Sequence, residues 1–118
     1  MYAPTILTNV RTDARVCAQE VFAPLVALFP FRSFDEALAE VNRSSFGLQA
    51  GVFTSQLERT LQAFDTLEVG GVIVNDVPTF RLDQMPYGGV KMSGFGREGL
   101  KYAIEEMTEP KLLVINLS

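Results

Sequence analysis

The chain has 118 residues, 47% of them hydrophobic, and its 10 Lys+Arg against 14 Asp+Glu leave a formal charge of −4. That is the composition of one globular domain, large enough to bury a core without metal or disulfide staples. With no histidine and a single cysteine, Cys17, it can hold no Ser/His/Asp triad, Cys/His dyad, His-ligated metal site or internal disulfide.

A lone cysteine makes the reducing cytoplasm the expected compartment. Scattered basic residues in an acidic chain argue against a nucleic-acid partner. The first residues lack a signal-peptide pattern, and no apolar run approaches the ~18 residues of a membrane span.

In chain order, residues 25–29 (Leu-Val-Ala-Leu-Phe), closed by Pro30, predict a buried strand. Ser33-Phe34-Asp35-Glu36 is a capping box, and Phe34, Ala37, Leu38 and Val41 follow at helical spacing, so a helix is expected that ends before Gly47. Residues 48–54 read as a second strand, with Gly51 marking a close backbone approach. A second capping box at Ser55-Gln56-Leu57-Glu58 precedes Leu57, Leu61, Phe64 and Leu67 on one helical face. Gly70-Gly71 stops that helix, and 72–75 (Val-Ile-Val-Asn) supplies a third strand. Alternating strands and helices predict an α/β fold with a mostly parallel sheet and right-handed crossovers. Residues 76–96 show no periodicity, and a loop of roughly 20 residues is uncommon unless functional. Leu100, Ala103, Ile104 and Met107 mark a third helix, ended by Pro110, and 112–115 (Leu-Leu-Val-Ile) reads as a last strand with an exposed edge that another copy of the chain could pair.

Four patterns carry candidate chemistry. Gly94-Phe95-Gly96-Arg97-Glu98-Gly99 fits G-x-G-x-x-G, but an irregular Pro/Gly loop rather than a strand precedes it and no acidic residue follows 20 positions on, so it reads as a loop leading into a helix. Cys17 has Glu20 nearby, yet a carboxylate raises a thiol pKa, which favours an inert, partly buried cysteine. Asn42-Arg43-Ser44 is a glycosylation sequon at a helix end, expected to be a chance match. In Glu20-Val21-Phe22-Ala23-Pro24 an extended backbone would set Glu20 and Phe22 on one face. A carboxylate there can accept from both hydroxyls of a ribose while the ring packs on a flat base; an exposed Glu beside a core Phe is the plainer alternative.

Three segments taken together resemble the C-terminal part of the aldehyde dehydrogenase superfamily. They are Pro4-Thr5-Ile6-Leu7-Thr8, Glu20-Val21-Phe22-Ala23-Pro24 and the specific block Pro86-Tyr87-Gly88-Gly89-Val90-Lys91-Met92-Ser93-Gly94-Phe95-Gly96-Arg97-Glu98-Gly99. The likeness covers nearly the whole chain and corresponds to about the last quarter of a family member. It implies that 1–110 is part of the catalytic domain and 111–118 an oligomerisation strand.

By the same resemblance, Glu20 stands where the family's carboxylate holds the nicotinamide ribose and Phe22 where a ring contacts the nicotinamide. Tyr87 matches the aromatic residue lining the aldehyde tunnel, and Phe80 and Asn75 are weaker pocket candidates. Ala23 departs from a frequent Gly before Pro24, a strain only if that position needs positive φ. The implied parent enzyme uses NAD or NADP and no metal, attacks the aldehyde with a thiolate, transfers hydride and hydrolyses the thioester. Its nucleophilic Cys, general base and dinucleotide-binding sheet lie upstream, so no residue here is expected to be catalytic and the chain alone is expected to be inactive. The expected partners are the aldehyde substrate and further copies of the chain, with no nucleic acid or membrane; the alternative is a non-catalytic assembly module of the same fold.

Overall fold

The structure, a computed structural model, describes residues 1–117. Its elements are β1 (Thr5–Thr8), α1 (Arg15–Ala18), β2 (Leu25–Leu28), α2 (Phe34–Asn42), β3 (Phe46–Gly47), β4 (Gln49–Val52), α3 (Leu57–Thr66), β5 (Gly71–Val74), β6 (Val90–Lys91) and α4 (Leu100–Glu106). The strand and helix alternation expected from 25 to 75 is present, and the chain is α/β.

Its parallel strands fall into two pairs rather than one sheet. β1 runs parallel to β2 with Thr5 opposite Leu25, and β4 runs parallel to β5 with Gln49 opposite Gly71, so α3 is a crossover of the second pair. A short antiparallel pair, β3 with β6, sets Phe46 opposite Lys91.

The first capping box forms one residue wider than expected. Ser33 Oγ accepts from the Glu36 amide at 3.1 Å, while Glu36 Oε2 accepts from the Arg32 amide, not that of Ser33, at 2.7 Å. The second box does not form. Gln56 occupies the cap of α3 and its side chain makes no cap bond; Thr54 Oγ1, from the end of the preceding strand, takes the Gln56 amide at 3.1 Å. Gly51 does mark a close approach, since a Cβ there would meet the Asp76 carbonyl at 3.0 Å.

The core is small: Leu38 from α2, Val52 from β4, Ala63 of α3 and the adjoining Leu67, with Phe34, Ala50, Val69 and Val72 packed against them. The apolar face of α3 otherwise looks outward, with Leu57, Leu61 and Phe64 all more than half exposed. No strand forms over 112–116, because a strand needs a ladder partner; the expected oligomerisation strand is here an exposed apolar tail from Leu112 to Leu117.

The dimensions agree with this picture. The radius of gyration is 19.2 Å, against roughly 13–14 Å for a compact domain of this length. The accessible surface is 9694 Å², where a compact 13.0 kDa monomer would show about 6,300 Å². Much apolar surface is therefore open that an ordinary monomer would cover.

Candidate functional site

Two segments matter, the turn between α1 and β2 and the long loop after β5. In the first, Phe22 has φ of +47°, so the backbone is not extended there and Glu20 and Phe22 do not share a strand face. Ala23 has no positive φ and is unstrained. The turn is fixed from outside, since the Thr5 amide donates to the Pro24 carbonyl at 2.9 Å. Phe22 stands 91% exposed.

Glu20 lines a cleft of about 500 Å³ together with Cys17, Gln49, Met92 and Ser93. Its carboxylate makes no hydrogen bond or ion pair among the described residues. Gln49 Oε1 is buried without a donor, while its Nε2 donates to the Phe80 carbonyl at 3.2 Å. The cleft thus offers one open acceptor, the Glu20 carboxylate, to donors such as sugar hydroxyls, while Gln49 Oε1 is shut inside its wall. Cys17 lies on the short helix α1, its thiol directed at the Arg11 carbonyl at 3.6 Å. A second, apolar cleft of about 600 Å³ lies between α2 and β4, walled by Phe31, Phe34, Leu38 and Val52, and holds none of the candidate residues.

The loop after β5 is irregular yet tied down at several points. Asn75, at φ +58°, accepts from the Thr54 amide through Oδ1 at 2.9 Å and donates its own amide to the Val52 carbonyl. Its side chain is thus engaged in closing the β4–β5 end. The Phe80 amide turns back to the Val77 carbonyl, and the Met85 amide to Leu82. Tyr87 exchanges both backbone bonds with Glu98 in an isolated antiparallel bridge. The Arg81 guanidinium lies 4.7 Å over the Tyr87 ring and reaches Glu98 Oε2 at 3.0 Å. Of the five candidates, then, Glu20 lines the cleft and Phe80 is tied to its wall through Gln49, whereas Phe22, Asn75 and Tyr87 lie outside it. Gln49 and Arg81 carried no signal in the sequence.

The Gly-rich block is scaffold. Lys91 Nζ donates to the Asn42 and Ser44 carbonyls at 2.7 and 3.1 Å and pairs with Glu68 at 2.7 Å, stapling the ends of α2 and α3. Asn42 uses its amide on the same junction, donating to the Thr66 carbonyl and accepting from the Glu68 amide. Both ends of the Asn42 amide are engaged at this junction, and a glycan on Nδ2 would crowd the bond to the Thr66 carbonyl. Ser93 Oγ accepts from the Gly47 amide at 2.9 Å. At the G-x-G-x-x-G pattern the Arg97 amide donates to Glu106 Oε1, and a Cβ on Gly96 would strike that carboxylate at 2.8 Å. The chain's own carboxylate, from the far end of α4, thus occupies the backbone of the pattern at Gly96 and Arg97.

The aldehyde dehydrogenase family profile matches residues 1–113, and the chain belongs to that family. Among curated relatives it is 57% identical over 116 residues to the 3-sulfolactaldehyde dehydrogenase of Priestia aryabhattai, covering 98% of this chain and 24% of the relative. It is 47% identical to the lactaldehyde dehydrogenase of Methanococcus aeolicus, covering 96% and 24%. The chain therefore spans about a quarter of the length of the relatives it matches. Aldehyde dehydrogenase 21 of Physcomitrella patens, solved with the reaction product succinate, superposes with a TM-score of 0.91 at 46% identity over 95% of this chain and 23% of that one. Two others hold a nicotinamide cofactor. The glyceraldehyde-3-phosphate dehydrogenase GapN of Methanocaldococcus jannaschii, complexed with NADP, gives 0.83 at 42% identity over 91% and 23%. The betaine aldehyde dehydrogenase of Staphylococcus aureus, with NAD+, gives 0.84 at 36% identity over 89% and 21%.

Proposed function

We propose that this chain acts as the C-terminal part of an NAD(P)-dependent dehydrogenase that oxidises a small aldehyde to its carboxylic acid. The observation that carries the reading is the 57% identity, over nearly the whole chain, to a quarter of an enzyme of that class. The excess surface of the fold supports it, because about 3,300 Å² above a compact monomer is the size of an obligate interface.

Glu20 fits a nicotinamide cofactor, as a carboxylate with no partner among the described residues lining a cleft, where it would face a ligand rich in hydroxyl donors. In this reading Glu20 orients the ribose, Phe22 covers the nicotinamide side, and Tyr87, Phe80 and Asn75 shape the aldehyde tunnel. The cofactor, when bound, supplies the hydride acceptor. The chain itself positions and excludes water; the nucleophile and the base come from the rest of the enzyme, so the isolated chain is inactive. Several similar proteins act on an aldehyde or release a product that carries a second acid group: a sulfonate in 3-sulfolactaldehyde, a phosphate in glyceraldehyde-3-phosphate, a carboxylate in succinate.

The test is Glu20→Gln in the full-length enzyme, measured by NAD(P)H formation. KM for the cofactor should rise roughly tenfold, in line with losing hydrogen bonds to a charged acceptor. An unchanged cofactor KM, or aldehyde-dependent NADH from the 118-residue chain alone, contradicts the reading. The exposed apolar tail equally suits a non-catalytic assembly module in the cytoplasm; an upstream reading frame encoding a nucleophilic cysteine decides against that.

A further inference from the structure

We draw no further inference here: the strongest candidate, the apolar cleft between α2 and β4, carries nothing because nothing in the structure shows what covers it.

Discussion

Residues 33–99 and the two ends of the chain are built on different terms. In the middle, α2, α3 and the two short strand pairs are cross-linked by side chains distant in sequence: Asn42 to the end of α3, Lys91 to the ends of both helices, Ser93 to Gly47, Gln49 to Phe80. At the ends, β1 and β2 pair as strands only with each other, and Leu112, Leu113, Val114 and Ile115 lie between 67% and 86% exposed. The middle is braced from within even where the face of α3 stays open, whereas the tail leaves its apolar side chains uncovered. A segment can thus carry a family's most specific motif as internal bracing while its chemistry depends on what it joins.

That contrast is best attacked where backbone meets backbone. A Cβ on Gly70 would lie 1.6 Å from the Gly88 carbonyl oxygen, so Gly70→Ala should cost at least about 3 kcal/mol and abolish cooperative thermal unfolding followed by circular dichroism. An intact transition would show that the middle does not hold the loop after β5. Lys91→Met comes next, at about 2–3 kcal/mol for three lost polar contacts. Lys91→Gly sharpens the point. Since Lys91 sits at φ +54°, glycine loses the same contacts but regains about 1 kcal/mol of backbone strain, and urea midpoints should rank wild type, Gly, Met. Ser33→Ala should cost about 1 kcal/mol as a lost helix cap.

At the ends the same measurements should barely move. Leu113→Asp is expected to change the stability of the chain by less than about 0.5 kcal/mol, yet to abolish, in light scattering, the self-association expected of an exposed apolar tail; a stability loss as large as that of Ser33→Ala would mean that the tail packs on its own chain. The smallest effect is at Asp13, whose carboxyl is held below the ordinary carboxylate range by its bond to Arg11. A lowered folded pKa gives a contribution complete above that ordinary value, about 4, and lost as pH falls through the folded value. The pair is fully solvated, so Asp13→Asn should shift Tm by no more than about 1 °C.

Sequence patterns showed α2, α3, α4, β2, β4 and β5 because each combines an apolar run with a punctuating Gly, Pro or cap. They missed β1 and α1, whose apolar stretches are too brief to stand out from their surroundings, and β3 and β6, which have two residues each. The face of Leu57, Leu61 and Phe64 was legible as helical and apolar, but periodicity says only that such a face needs a cover, not that the cover lies in the same chain. Of the candidates, motifs singled out Glu20 and Tyr87, and Glu20 lines the cleft. Gln49 and Arg81 were not singled out, since their roles arise from contacts with residues 31 and 6 positions away that no local pattern encodes. The left-handed Phe22 was equally hidden, because nothing in an aromatic residue announces positive φ.

The contact of Gly70 with the Gly88 carbonyl bears on anyone wishing to re-engineer the loop after β5. With no side chain between the two segments, their separation is set by van der Waals radii alone and offers nothing to exchange for something larger or smaller. Libraries meant to reshape that loop therefore belong between 76 and 86, where turns and single side-chain ties leave variable positions. Positions 70 and 88 act as the fixed datum from which any such change is measured.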